Sequence, residues 1–182
     1  SYLLTPEELE NLKVLTAHFE QVAVLLNVSN IIDMSWLKNP VYKDHIRSVL
    51  YIWQGGMESG NAVADVLSGK VSPSGKLTDT IACSLADYPA ANDFGDTVRN
   101  FYTEDIYVGY RYFDSFGIEP LFSFGYGLSY TEFDIRLCGI NTDSKGVTVT
   151  VEVENTGTTY SGKEVVQIYA SLPQDGSRKE FR

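Results

Sequence analysis

Two short apolar runs, each flanked by segments of helical pattern, constrain the fold of this chain more than any other feature. Residues 22–28 and 49–53 are dominated by Val, Leu and Ile and have the length of strands buried on both faces. Residues 5–21, 43–49 and 58–68 have the apolar spacing or the end signals of helices. Because helices and buried strands alternate, the sequence predicts a mostly parallel sheet covered by helices, an α/β sandwich.

The first helix has a well-defined start. Thr5 is a good N-cap residue, Pro6 suits the first helical position, and Glu8 stands where a capping box needs an acidic side chain. Further along, residues 71–130 contain scattered prolines and glycines together with many aromatic residues. This composition predicts a long, irregular but ordered segment, since disordered chains are poor in aromatic residues.

The pattern changes again near Thr131. Residues 133–137 alternate between apolar and polar, residues 147–154 do so strictly, and residues 165–169 are predicted to form a third strand. Strands at this spacing, separated by polar turns, favour the beginning of an all-β sandwich. The sequence therefore predicts two domains, an α/β domain over 1–130 and part of a β domain over 131–182.

Charge and cysteine content narrow the choice of partners. The formal net charge of −10 disfavours binding to nucleic acids and to anionic membrane surfaces, because both would repel the chain. The sequence has no apolar stretch of membrane-spanning length. Cys83 and Cys138 are isolated and fit neither a disulfide framework nor a metal site, which favours a reducing, cytoplasmic location.

The glycine-rich segment 55–60 follows a predicted strand, as a phosphate-binding loop would. In such a loop the last glycine precedes a lysine and then a hydroxyl residue, whereas here Asn61 and Ala62 follow. A nucleotide-binding α/β protein is therefore disfavoured. His18 and His45 stand apart from any array of ligand spacing, so no metal site and no cofactor are predicted.

Four longer strings carry a family resemblance. Residues 24–36 (VLLNVSNIIDMSW), 53–77 (beginning WQGGMESGNAVADVLSGK), 108–114 (VGYRYFD) and 120–131 (PLFSFGYGLSYT) resemble the second domain of glycoside hydrolase family 3 of the β-glucosidase type. Residues 151–169 resemble the fibronectin-type-III-like domain that follows it. The resemblance covers nearly the whole chain in the expected order. It implies that the glycine turn, residues 73–75 and residues 124–127 hold together a wall of the active-site cleft and dock the third domain.

The resemblance also implies a retaining mechanism and a substrate class. In the family, an Asp on a (β/α)₈ barrel attacks the anomeric carbon, and a Glu of the second domain acts as acid and base. The barrel's Ser-Asp-Trp string is absent here, and the acid/base segment is expected to precede this chain. We therefore assign no catalytic residue. We expect part of a longer exo-acting β-glycosidase, inactive alone, whose β-linked oligosaccharide or glycoside substrate binds through the missing barrel.

The acidic residues of this chain do not change the expectation that it contains no catalytic residue. Glu58 precedes a helix, where the dipole favours an acidic residue, and a structural or surface role is predicted for Glu104 and Asp105. Asp93 and Asp96 lie in a nearby loop. The alternative function is a non-catalytic carbohydrate-binding or structural module. An incomplete sandwich also exposes strand edges, which predicts a homo-oligomer.

Overall fold

The computed structural model describes residues 2–93, 95–171 and 173. In chain order its regular elements are helix α1 (Pro6–His18), strand β1 (Val22–Leu26), strand β2 (Ile46–Tyr51), helices α2 (Ser59–Leu67) and α3 (Tyr110–Phe116), and strands β3 (Phe133–Asp143) and β4 (Gly146–Asn155). Short 3₁₀ turns occupy Ser35–Lys38 and Leu85–Asp87. No helix in the described part of the chain is long and apolar enough to cross a membrane.

The chain divides into two compact units. The first unit comprises Ser1–Met57, Leu77–Phe124 and Tyr169–Arg182, and the second comprises Glu58–Lys76 and Gly125–Ile168. This division follows compactness rather than the order of residues along the chain. The domain boundary between residues 130 and 131 stays a prediction.

Helix α1 begins with the capping box that the sequence predicts. The Glu8 amide donates to the Thr5 hydroxyl at 3.2 Å, and the Thr5 amide donates to the Glu8 carboxylate at 2.7 Å. The helix ends at His18, three residues before the predicted end, because Phe19 already has an extended backbone that leads into β1. Leu12 is buried in the core of the first unit.

Strands β1 and β2 pair in parallel, which confirms the predicted sheet direction. Val24 lies opposite Val49, and Leu26 lies opposite Tyr51. The predicted short helix over residues 43–49 is wrong, because β2 begins at Ile46 in order to pair with the first residue of β1. The core of the unit comprises the buried residues Leu12, Leu26, Ile32, Met34, Trp36, Tyr42 and Ile81.

The irregular middle segment is held by main-chain contacts. Ile81 and Phe122 form an isolated antiparallel bridge, and Ile81 is fully buried. Helix α3, which the sequence analysis did not predict, ends at Gly117 in the left-handed conformation with φ 63°. Glycine is favoured at such a position because it has no Cβ to clash.

In the second unit, β3 and β4 form an antiparallel hairpin, with Ile135 opposite Val153. Both strands are longer than predicted. The predicted third strand over residues 165–169 is wrong, since these residues lie outside any strand. No described strand pairs with this segment, and the residues just before it are held differently: the Lys163 amide donates to the Ser74 hydroxyl at 2.9 Å.

Candidate functional site

The carboxyl ends of β1 and β2 meet at one edge of the parallel sheet. Ligands in open α/β sheets bind beyond the carboxyl ends of the strands, so this edge is a candidate binding site. The chain leaving β2 stays paired for one more residue, because the Ile52 amide donates to the Leu26 carbonyl at 3.0 Å. We call Asn30, Asp33, Ser35, Tyr51 and Trp53 the strand-end face.

Two aromatic rings form the apolar part of the strand-end face. The centroids of the Tyr51 and Trp53 rings lie 4.4 Å apart with an interplanar angle of 49°. Both residues are half-buried. The Tyr51 phenol donates to the Asn30 carbonyl at 2.8 Å, which ties the two strand-end loops together. Burial raises the pKa of Tyr51, so its phenol remains a hydrogen-bond donor well above neutral pH.

The backbone of Trp53 has φ 52°, in the left-handed region that bulky residues rarely adopt. Such a conformation costs of the order of 1–3 kcal/mol and is concentrated at functional sites. Gly55 and Gly56 follow two residues later, at the turn toward α2. Trp53 thus combines a strained backbone with the largest aromatic side chain of the strand-end face.

Asp33 organises the polar part of this face. Its carboxylate accepts hydrogen bonds from the Ser35 amide at 3.1 Å and the Ser35 hydroxyl at 2.9 Å. Its carbonyl accepts from the indole of Trp36 at 2.9 Å, which anchors the loop on a buried ring. The loop after β1 thus carries hydroxyl, carboxylate and carbonyl groups, and it is joined to the rings at the end of β2 through the Tyr51–Asn30 hydrogen bond. Rings and polar groups of these kinds suit a ligand with apolar faces and many hydroxyls.

The acidic residues singled out from the sequence have local partners. Glu58 is exposed at the N-cap of α2, where its carboxylate accepts from the Asn61 amide group. The Asp96 carboxylate accepts from the Val98 and Arg99 amides at 2.8 and 3.0 Å, and these bonds, the Arg99 one first, lower its pKa.

The remaining candidates lie in the first unit. Glu104 and Asp93 are half-buried, whereas Asp105 is exposed with φ 51°. The ring Nδ1–H of His18 donates to the Val14 carbonyl, and that of His45 donates to the Phe19 carbonyl. Among the described residues, no three His, Cys, Asp or Glu side chains converge as metal ligands would.

Comparison with known proteins identifies the family. Residues 1–130 match the model of the glycosyl hydrolase family 3 C-terminal domain. The chain is 48% identical to a beta-glucosidase of Ruminococcus albus over 95% of its length, and 42% identical to beta-glucosidase A of Butyrivibrio fibrisolvens, also over 95%. It covers only 18% and 23% of those two proteins, so it spans about a fifth of the relatives it matches.

Solved structures agree with this assignment. A beta-glucosidase from Paenibacillus barengoltzii matches with a TM-score of 0.84 and 54% identity, over 89% of this chain and 18% of that one. Beta-glucosidase 3B from Thermotoga neapolitana, in complex with glucose, matches with a TM-score of 0.72 and 38% identity, over 86% of this chain and 22% of that one. The fold is thus that of an α/β domain of a glycosidase. The chain belongs to glycosyl hydrolase family 3, and the resemblance stated from its motifs is confirmed.

The sequence analysis included residues 24–36 and 53–77 among the strings that resemble the family. It did not single out Tyr51 or Trp53 as residues of a binding site. The only available signal was two aromatic residues at the end of a predicted buried strand, directly before a glycine turn. Their contact and the backbone conformation of Trp53 arise in the folded chain. The absence of an assigned catalytic residue stays a prediction.

Proposed function

We propose that the protein to which this chain belongs is a retaining β-glucosidase that releases terminal β-linked glucose from oligosaccharides or glycosides. The observation that carries this proposal is the similarity to beta-glucosidases over 95% of the chain. The chain would contribute a wall of the substrate cleft, while the nucleophile would come from the barrel.

Hydrolysis of a panel of nitrophenyl β-glycosides tests this function. The whole protein is expected to cleave the glucoside fastest, and this chain alone is expected to cleave none. If the whole protein left every glycoside of the panel intact but still bound cellobiose, the chain would be part of a non-catalytic carbohydrate-binding module instead. Cleavage by the chain alone would contradict the proposed absence of catalytic residues.

Within this function, the strand-end face is proposed to contact the sugar through Trp53. A pair of stacked aromatic rings gains about 0.5–1.5 kcal/mol beyond burial, and a contact of the same size between Trp53 and a sugar would correspond to a roughly two- to twelvefold change in affinity. Trp53→Ala in the whole protein is therefore expected to raise KM several-fold, with Trp53→Phe in between.

The matched control for this substitution is Tyr102→Ala, which removes an 85% exposed ring elsewhere in the same unit. Its KM should equal that of the unmodified protein. An unchanged KM in folded Trp53→Ala protein would remove Trp53 from the substrate cleft.

For self-association, we propose contact between copies through the β3–β4 hairpin. Leu137, Ile140 and Val147 are 63%, 59% and 63% exposed, respectively, and exposed apolar strands favour pairing with another copy. Light scattering should give twice the monomer mass at high concentration. The double variant Leu137→Lys, Val147→Lys should restore the monomer; a monomeric unmodified chain would refute the contact.

For location, we propose the cytoplasm. Cys83 is half-buried and Cys138 is exposed, and both are free thiols, which supports a reducing compartment. Fractionation of the native cells with a β-glucosidase assay tests this location. Activity confined to the secreted or periplasmic fraction would refute it.

A further inference from the structure

Lys38 and Cys83 bring an amine and a thiol into contact within the first unit. The Nζ atom of Lys38 donates to the Sγ atom of Cys83 at 3.3 Å, although the two residues lie 45 positions apart in the sequence. Among the described residues Lys38 forms no salt bridge, so its ammonium is directed to the sulfur rather than to a carboxylate. Neither side chain belongs to the strand-end face.

Buried neighbours fix the main chain at both ends of this contact. Lys38 ends the 3₁₀ turn Ser35–Lys38, whose Trp36 ring lies in the core of the unit. Cys83 follows Ile81 and Ala82, which are both fully buried. The core therefore sets the two main-chain positions, and the contact depends further only on the conformation of the lysine side chain.

The surroundings of Cys83 leave Lys38 as the nitrogen best placed to react with its sulfur. Cys83 is half-buried, and its contact with Lys38 lies in the exposed part of the unit, where a small oxidant can reach it. Peroxides oxidise an accessible thiol to a sulfenic acid, which condenses with a thiol or with a nitrogen of the main chain. The adjacent main-chain nitrogen, that of Ser84, is engaged, because its N–H donates to the Asp87 carboxylate at 2.9 Å.

We propose that hydrogen peroxide joins Lys38 to Cys83 through a reversible sulfur–nitrogen bond. In the first step the Cys83 sulfur takes one oxygen atom from peroxide and becomes a sulfenic acid, while the other oxygen leaves as water. The sulfur loses two electrons and the peroxide gains them. In the second step the Lys38 ammonium gives one proton to solvent, and its nitrogen attacks the sulfur. The S–N bond forms, the S–O bond breaks, and the hydroxyl leaves as water with a second proton from the nitrogen.

This cross-link stabilises the chain in the same way as a disulfide of equal span. Joining residues 45 positions apart restricts the unfolded chain, and the contact already exists in the folded one. The melting temperature of the peroxide-treated chain should therefore rise by several degrees, and treatment with dithiothreitol should reverse the rise. None of these expectations depends on the proposed glycosidase activity.

Mass spectrometry of the peroxide-treated chain tests the proposal. The expected product is lighter than the reduced chain by two hydrogen atoms, and its digest contains one peptide pair that joins Lys38 to Cys83 and separates in dithiothreitol. Lys38→Arg keeps the positive charge but replaces the amine by a guanidinium, which stays protonated and does not attack the sulfur. This variant should give no joined peptides and a sulfenic acid at Cys83 that dimedone traps. Cys83→Ser should give neither product.

Two matched controls separate this pair from general oxidation. Lys43→Arg alters another exposed lysine of the same unit and should leave the yield of joined peptides unchanged. Cys138→Ser removes the other free thiol, and the yield should again be unchanged. A disulfide between Cys83 and Cys138 would also make the chain lighter by two hydrogen atoms, but it would be lost in Cys138→Ser.

Three outcomes would overturn the proposal. Dimedone could label Cys83 to the same extent in the unmodified chain and in Lys38→Arg, with no joined peptides in either. The joined peptides could persist in Lys38→Arg, which would place the bond at another nitrogen. Finally, Cys83 could stay reduced in peroxide that fully oxidises Cys138, which would show that the sulfur is inaccessible. If Lys38→Arg does not fold, Lys38→Met is measured in the same way and has the same expected result.

Discussion

The Nζ atom of Lys76 lies 3.0 Å from the Oε1 atom of Glu164, 88 residues further along the chain. The same ammonium donates to the Gly127 carbonyl at 2.8 Å. The two side chains are only 14% and 13% exposed, so solvent screens the pair far less than a surface salt bridge. Lys76 therefore connects three separate segments of the second unit. Several expected properties of this unit follow from the contact between Lys76 and Glu164.

Acid should weaken this contact in a defined direction. The Val165 amide and then Lys76 hold the pKa of Glu164 below its ordinary value. Because the folded pKa is the lower one, this contribution is fully present above the unfolded pKa, about 4.5, and is lost as the pH falls through the folded pKa. In urea titrations, Glu164→Gln should be less stable than the unmodified chain at pH 7, and the difference should shrink toward pH 3.

The control for the pH experiment is Glu10→Gln, which alters an acidic side chain that is 63% exposed and paired with Lys13. Its stability difference should be small at every pH. A Glu164→Gln difference that grows as the pH falls would show that the folded pKa is raised rather than lowered.

Removing the cation should be costly at neutral pH. In Lys76→Met, the Glu164 carboxylate keeps the Val165 amide, at 2.8 Å, but loses its charged partner and stays largely covered. A charge-assisted hydrogen bond contributes about 1.5–3 kcal/mol, so the free energy of unfolding should fall by about that amount. Lys13→Met, at a 63% exposed pair, should cost less than about 1 kcal/mol. Equal losses would mean that the burial of the pair is unimportant.

Local sequence patterns predicted the structure correctly where residues close together along the chain determine it. The capping box of α1 needs only Thr5 and Glu8, three residues apart, and it forms as predicted. Alternating valines predict β4 because the side-chain period of a strand is two. The longer strings that resemble the family also predicted the fold class, and the matches to solved structures confirm that prediction.

Features that depend on distant partners could not be predicted in this way. Residues 165–169 have the composition of a strand, but composition does not supply a neighbouring strand, and none of the described strands pairs with them. The start of β2 at Ile46 depends on pairing with Val22. Trp53 has a left-handed backbone conformation that tryptophan rarely adopts, so the fold imposes this conformation. No local sequence pattern could therefore predict it.

Ile81 should be the most sensitive apolar residue of the irregular segment. It is fully buried, its amide donates to the Phe122 carbonyl at 2.8 Å, and its carbonyl accepts from the Phe122 amide at 3.1 Å. Ile81→Ala is expected to cost about 2–5 kcal/mol because a cavity remains, and Ile81→Val about 0.5–1.5 kcal/mol. Chemical denaturation measures both. Val98→Ala, at an 86% exposed site, should change stability by less than about 0.5 kcal/mol.

Two glycines of the second unit should respond oppositely to the same substitution. A Cβ on Gly127 would lie 2.6 Å from the Gly75 carbonyl oxygen and 3.3 Å from the Lys76 Cα, and these main-chain atoms cannot move aside easily. A Cβ on Gly60, within α2, would meet nothing within 4 Å. Gly127→Ala should therefore destabilise the unit by about 1–3 kcal/mol, as overpacking does.

Gly60→Ala should stabilise the same unit by up to about 1 kcal/mol, since alanine is the better helix former. Thermal and urea unfolding of the two variants, side by side, compare these signs directly. Because both changes add one methyl group, a shared sign would rule out the steric explanation. Stability changes of opposite sign would support the close approach of residues 75–76 to residue 127. The same approach places the Gly127 carbonyl within hydrogen-bond distance of the Lys76 ammonium.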